Sequence, residues 1–399
     1  MQQKWSETAR NQTINPNLMR VLLISKSIPN SFKGGIQTHV WELASHLEKI
    51  GVSVTILTGG SLRAGARARM IEGRKVISLP YLPLRKFPIV GIGIDEFAFN
   101  VAVARWVKRH HKDFDIIHQQ GRSGYLIPYL RINVPVVNTV HRLWSVEGQW
   151  AKHDFNNKMI AGFYKWMTCR FEEKAIRKSR AIIGISRSTL TEIQAKLNIQ
   201  AAKLNLVYNG ASSNEAIGQA IEPRKQLLFV GRLCQIKGVF PLLKAFSQVD
   251  EVEKLIMIGD GPARPQLVEL IQQLGLAERV DLIGSQEQAV VRKLMRESYA
   301  LILPSFHESQ GIVLMENNLE GRPVLATSVA GIKEVVQHRF NGLLFPSHSI
   351  TEMVEAIKEL FSDAKAAQKM GLQGRHLVKH KFSWDSIAEQ TLKIYKSIV

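Results

Sequence analysis

Two cysteines in 399 residues, Cys169 and Cys234, are too few and too far apart for a disulfide framework or for a paired zinc or redox spacing. No apolar run approaches the roughly 20 residues that cross a bilayer. Residues 1–18 are polar and lack the apolar core of a secretory signal. Together these absences set the expectation of reduced core thiols in a soluble cytoplasmic chain. No Gly-x-Gly-x-x-Gly follows the first apolar run, which disfavours a nicotinamide-dependent dehydrogenase. The one Asp-x-Asp, Asp113-Phe114-Asp115, leads straight into an apolar run and reads as surface acids before a buried strand, so no metal site is expected there.

What is present is ordinary globular composition, 45% hydrophobic and 22% charged, in a chain long enough for two or three domains. The net charge of +19 is unevenly placed. Residues 1–205 hold 31 Lys and Arg against 13 Asp and Glu, a net +18, whereas residues 206–399 hold 22 against 21, a net +1. Such asymmetry points to a polyanionic partner for the first half: nucleic acid, anionic lipid or an acidic substrate. No nucleic-acid recognition motif accompanies the charge, so specific nucleic-acid binding is not expected.

Short β-branched runs alternate with helix-like stretches along the whole chain. Strands are expected at 20–25, 52–57, 76–79, 115–118, 134–139 and 181–185, and again at 227–230, 255–258, 280–283, 300–303, 323–326 and 342–345. Between the first two, Ile36, Val40, Leu43, Ala44, Leu47 and Ile50 recur at helical spacing, with Gly51 where a helix would end. Continuous apolar runs separated by helices are what a parallel sheet covered on both faces requires. The segment 209–224 is polar and rich in small residues, a hinge pattern. The expected architecture is α/β, with two doubly wound parallel-sheet, Rossmann-like domains facing a cleft. Their expected bounds are a polar extension at 1–18, a first domain at 19–208, the linker, a second domain at 225–383, and a closing helix at 384–399 able to pack back on the first domain.

Ligands of such sheets bind beyond the carboxyl ends of the strands. In residues 303–331 a strand ends at Leu303, a Pro304-Ser305 turn follows, and a helix begins near Gly311. The amides of Gly311, Ile312 and Val313 would then be free helix-start donors, a ready phosphate site. Glu308 precedes that helix, and Glu316, in its second turn, could reach a ribose diol. Arg232 and Lys237 follow the first strand of the second half, where a guanidinium and an ammonium would bind a diphosphate and stabilise it as it departs. His118 and His141 both close strands; for His118 a structural and a functional role both stand.

These segments resemble the family 4 retaining glycosyltransferases of GT-B architecture, and the resemblance covers most of residues 19–397. Its motifs stand in family order: Gly34-Gly35-Ile36-Gln37, His118, Thr139-Val140-His141, Ser186, Asn209-Gly210, Gly231-Arg232 with Lys237-Gly238, and Gly259-Asp260-Gly261-Pro262. Pro304-Ser305, the Glu308 and Glu316 pair, Gly321-Arg322-Pro323-Val324, and Gly331 with Glu334 complete the series. The resemblance implies that Arg232 and Lys237 bind the donor diphosphate, Glu316 the ribose, and Glu308 the transferred sugar. It also implies that Gly34-Gly35 close over the diphosphate or the acceptor, and that His141 contacts the sugar near the reacting carbon. A UDP- or GDP-linked sugar, a glycan or lipid-linked acceptor and no metal cofactor follow from it. Asn317-Asn318 and Ser309-Gln310 depart from the family pattern, at positions that line or support the sugar pocket in relatives. A nucleotide-sugar epimerase of the same architecture is the competing enzyme class.

Two clusters bear on the acceptor. Arg63, Arg67, Arg69, Arg74 and Lys75 crowd one stretch, and residues 163–180 interleave Phe163, Tyr164, Trp166 and Phe171 with Lys165, Arg170, Lys174, Arg177, Lys178 and Arg180. A helix with an aromatic and a basic face can lie on an anionic membrane surface, which makes peripheral docking on the inner leaflet the expectation alongside a plain packed helix.

Overall fold

The computed structural model describes residues 18–29, 34–61, 65–81, 91–143, 158–212 and 222–399, with only the backbone of 91–94 and 158–166. Arg63, residues 1–17 and 213–221, and the side chains of Phe163, Tyr164, Lys165 and Trp166 lie outside the described residues. The chain forms two compact units, one from Met1–Thr139, Phe155–Ile182 and Thr391–Val399, the other from Val140–Asp154 and Ile183–Gln390.

The first sheet contains β1 Arg20–Ile24, β2 Ser53–Gly60, β3 Arg67–Ile71, β4 Arg74–Pro80, β5 Ile116–Gln120, β6 Val136–Val140, β7 Ala181–Gly184 and β8 Leu204–Leu206, in the order β3-β4-β2-β1-β5-β6-β7-β8. β1 pairs in parallel with β2 and with β5, so chain order reverses at β1. α1 Gly35–Lys49 buries Val40, Leu43, Ala44 and Leu47 on one face, as its spacing predicts. α2 Gly91–His110 lays Phe99, Val103 and Val107 over Leu22, Ile24 and Ile117 of the sheet. α3 Lys158–Lys178 and α4 Arg187–Leu197 follow.

All twelve expected strands are present. Two more are not legible as apolar runs. β3 is an exposed edge strand, antiparallel to β4 with Arg69 opposite Val76, and the Arg67 to Lys75 cluster is therefore a hairpin rather than a loop. Its turn residues Glu72 and Gly73 both have positive φ, 48° and 78°, the geometry of a two-residue hairpin turn. A strand with no buried face leaves no hydrophobic alternation to read. The three-residue β8 is too short to show one.

The second sheet contains β9 Arg224–Val230, β10 Lys254–Ile258, β11 Val280–Gly284, β12 Ser298–Leu303, β13 Val324–Thr327 and β14 Gly342–Phe345, ordered β11-β10-β9-β12-β13-β14. All five neighbouring pairs of its strands are parallel. α5 Val239–Phe246, α6 Arg264–Gln273, α7 Gln288–Glu297, α8 Ile312–Leu319, α9 Ile350–Ser362 and α10 Ala364–Lys381 flank it, and α11 Trp384–Lys396 ends the series. Leu227, Leu228, Phe229, Leu255, Leu301 and Ile302 are sealed in its core. The strand order turns back between β9 and β12, which makes the loops after those two strands neighbours at the carboxyl edge.

Within the first unit, His118 is fully buried. Its Nδ1 lies 2.6 Å from the Tyr395 hydroxyl and its Nε2 2.7 Å from Thr139 Oγ1. Burial, then the neighbouring His39, lowers its pKa to about 3. His118 is thus a neutral, hydrogen-bonded structural residue. A histidine whose folded pKa lies below its unfolded value contributes stability that is complete above the unfolded value and is lost as the pH falls. Between pH 6.5 and about 3, this residue should remove up to ~1.4 kcal/mol of stability per pH unit. Denaturant midpoints across that range should show a shallower slope for His118→Gln than for wild type.

Candidate active site

The second unit builds its site from the loops that follow β9 and β12. After β9, Arg232 is exposed, and Lys237 closes a 3-10 turn at Gln235–Lys237. After β12, Pro304-Ser305 turn the chain and Glu308 follows. The two loops are fastened to each other by the main chain. Phe306 N donates to Ile236 O at 2.8 Å, and Gly238, at φ +68°, lies so close to Pro304 that a Cβ would stand 2.0 Å from the Pro304 carbonyl oxygen. From the other side, Thr327 Oγ1 donates to Ser305 O at 2.6 Å. Gly331 rests on the Glu308–Ser309 backbone, where a Cβ would stand 2.0 Å from Ser309 O.

The loops bring Glu308 and Lys237 into a direct ion pair. The Glu308 side chain is only 12% exposed and that of Lys237 22%. Arg142, just beyond β6 and also in the second unit, places Nη2 3.9 Å from Glu308 Oε1 and donates from Nε to Ser309 Oγ at 3.3 Å. Burial alone would raise the pKa of Glu308. The charges of Lys237 and Arg142 and the Lys237 hydrogen bond outweigh it, with a smaller part from His307, and hold the carboxyl below its ordinary value.

α8 begins directly after Gly311. Among the described residues the amides of Gly311, Ile312 and Val313 donate to no acceptor, and the helix dipole adds partial positive charge at that end. Glu316, half-buried on α8, accepts a hydrogen bond from Gln288 Nε2 at 3.2 Å. Asn317 and Asn318 are fully buried. Asn317 Nδ2 donates to Pro323 O at 2.9 Å, and Asn318 Nδ2 to Arg322 O at 2.9 Å. Asn341 Nδ2 donates to Asn318 Oδ1 at 2.7 Å. The two asparagines act as fasteners that tie the end of α8 to the turn before β13. Gln310 is likewise buried, and its Oε1 accepts from Asn209 N at 2.8 Å. Beneath the helix end, Glu320 pairs with Arg292 at 3.2 Å and Arg296 at 3.1 Å.

Of the residues singled out in sequence, Glu308 and Lys237 meet, Arg232 stands exposed in the Lys237 loop, and Glu316 faces Gln288. His141 is buried at the end of β6, immediately before Arg142. Gly34 and Gly35 belong to the first unit, where Gly34 is the N-cap of α1. Glu334 accepts from the Arg187 and Ser188 amides at 2.8 and 3.1 Å, in the first turn of α4, and from Tyr208 Oη at 3.1 Å. Arg142 was not anticipated; its only signal is its place one residue beyond the strand-end His141. Asp115 of the Asp-x-Asp accepts from the Arg20 amide at 2.8 Å and guanidinium at 2.7 Å, and so joins β5 to β1. No three His, Cys, Asp or Glu side chains cluster as metal ligands would among the described residues.

Comparison with known proteins bears on the family and the fold. Residues 213–377 match the family described as glycosyl transferases group 1, and residues 33–215 match glycosyltransferase family 4. An uncharacterized glycosyltransferase of Methanocaldococcus jannaschii is 29% identical over 55% of this chain, which spans 60% of that relative's length. A D-inositol 3-phosphate glycosyltransferase of Corynebacterium diphtheriae is 25% identical over 91% of this chain and 89% of its own. Among solved structures, sucrose-phosphate synthase from Thermosynechococcus elongatus superposes with a TM-score of 0.78 at 22% identity, covering 95% and 98% of the two chains. Anabaena HepE in complex with UDP-glucose gives 0.73 at 19% identity, covering 95% and 100%. The shared fold is the GT-B architecture.

Because Gly331 buttresses the Glu308 loop, Gly331→Ala should displace it. Overpacking at such a contact costs ~1–3 kcal/mol. Urea denaturation should register that loss, while Ala substitution at the uncrowded Gly275, strained only by its positive φ, should leave Glu308–Lys237 chemistry untouched.

Proposed function

Because the chain belongs to the group 1 glycosyltransferases, we propose that it moves a hexosyl unit, with retention, from a UDP- or GDP-linked sugar to a hydroxyl of a glycan or lipid-linked acceptor. The observation that carries this reading is the Glu308–Lys237 pair, set in adjoining loops at the point where the strand order reverses, with the open start of α8 following the Glu308 loop. In this reading Arg232, Lys237 and the first amides of α8 hold the diphosphate, so its charge is met by fixed groups and no metal is needed. Glu316, oriented by Gln288, accepts from the ribose, and Glu308 lies against the transferred sugar, with His141 near the reacting carbon.

The bond between the anomeric carbon and the diphosphate oxygen breaks as the acceptor oxygen bonds to the same face of that carbon. The acceptor proton passes to the departing diphosphate oxygen. The transition state is oxocarbenium-like, and the task of the protein is electrostatic. A carboxylate whose charge is met by Arg142 is a weak nucleophile, which favours this front-face route over covalent attack by Glu308.

Titration calorimetry against a panel of UDP- and GDP-sugars, then product analysis with glycan and lipid extracts, tests the reading. Loss of the Glu316 carboxylate in Glu316→Ala should weaken nucleotide binding by about tenfold, the worth of one charge-assisted hydrogen bond. The Arg232→Ala, Lys237→Ala double variant should fold normally and lose turnover; wild-type turnover in it would refute the assignment.

A membrane-bound acceptor is supported by the hairpin of β3 and β4, where Arg67, Arg69 and Lys75 are exposed beside Met70, itself 57% exposed. The described part of α3 adds exposed Arg170, Arg177 and Lys178, although Phe171 turns inward and stacks on Tyr125 at 5.2 Å. No described helix is long and apolar enough to cross a membrane. Sedimentation with phosphatidylglycerol vesicles should bring the protein down at low salt and release it at high salt; no lipid-dependent binding would remove this part of the proposal.

A further inference from the structure

Under the functional reading above, Lys237 has two claims on its single charge. The diphosphate needs it, yet the structure shows it committed to Glu308. The pairing is favoured by the backbone: the Phe306–Ile236 hydrogen bond and the close approach of Gly238 to Pro304 hold both loops in register, so the two side chains face each other. A diphosphate arriving at Lys237 also meets the negative charge of Glu308. Glu308, at 12% exposure, cannot lose its counter-ion to water without a large desolvation cost. A second cation is already in place. Arg142 stands 3.9 Å from the other carboxylate oxygen and is steadied by its hydrogen bond to Ser309 in the same loop.

We propose that donor binding in this protein is an ion exchange: the diphosphate takes Lys237 from Glu308, and Arg142 takes over as the counter-ion that keeps Glu308 ionised and in position. The Lys237–Glu308 pair is then a latch that keeps the Lys237 charge occupied in the empty site, and Arg142 is a positioning residue that acts through Glu308. No covalent step is involved. This rests on the proposed function, because it needs Lys237 to be the diphosphate ligand.

Two consequences separate the latch from a plain structural ion pair. Removing the carboxylate charge should free Lys237, so Glu308→Gln should bind a bare nucleoside diphosphate more tightly than wild type, by about tenfold for a close charge pair of this kind, while sugar transfer collapses. That gain should vanish in the Glu308→Gln, Lys237→Met double variant. Arg142→Met should weaken nucleoside diphosphate binding and lower kcat for transfer, each by at least about tenfold, because Glu308 is then without a counter-ion only in the loaded site.

The experiment is titration calorimetry of wild type and the four variants, Lys237→Met included, with UDP, GDP and ADP as probes, and transfer kinetics on whichever nucleotide binds. Circular dichroism and thermal melts confirm folding, and Glu308→Gln is chosen as the near-isosteric change. If wild type binds none of the three diphosphates, the functional reading itself fails. If wild type binds one of them and Glu308→Gln binds it equally or more weakly, the exchange is overturned and the functional reading stands. A gain in Glu308→Gln that survives the loss of Lys237 also overturns it.

Discussion

A carboxylate almost shut off from water must keep a positive partner, and much of the second unit is arranged around that requirement at Glu308. Desolvation of an unpaired carboxylate costs several kcal/mol, more than any single fastening hydrogen bond returns. The pairing with Lys237 and Arg142 therefore has to be secured by backbone placement rather than left to side-chain rotamers. The Pro304-Ser305 turn, Thr327, Gly238 and Gly331 supply that placement, each by a contact with the main chain of one of the two loops. The ion pair is the outcome of loop packing, and the packing is tight because the pair would be costly to break.

The location follows from sheet topology. β9 and β12 are adjacent although β10 and β11 separate them in sequence, since the chain builds outward from β9 to one side and returns to build on the other. Where the order reverses, the connecting helices diverge to opposite sides and leave the loop ends uncovered. The start of α8 sits in that opening. Its other end is fixed by Asn317 and Asn318 and by Glu320 between two arginines, so the helix is anchored where it is buried and open where it is polar.

Polar residues of the first unit divide along the same lines. His118 is open in sequence to chemistry or structure and Asp115 reads as a surface acid, and both are spent on structure. His118 is enclosed by Tyr395 and Thr139, and Asp115 joins two neighbouring strands through Arg20. A titratable residue at a strand end is informative only once its partners are known. The basic excess of this half is visible in composition, and it emerges on the exposed hairpin of β3 and β4 and on the outer face of α3.

The amino-acid order by itself determined the alternation of strands and helices, the two parallel sheets, and the neighbourhood of the Glu308, Glu316, Arg232 and Lys237 segments, because those depend on hydrophobic runs and turn residues that act locally. It left β3 and β8 unread, one with no buried face and the other too short for a pattern. Tertiary structure alone decided that Lys237 is held by Glu308, that Arg142 stands behind it, and that Asn317 and Asn318 turn inward as fasteners. It also decided that the last residues of the chain join the first unit. Pairings of that kind join residues as far apart as 142 and 308, and a charge in a sequence carries no mark of the partner that folding will bring to it.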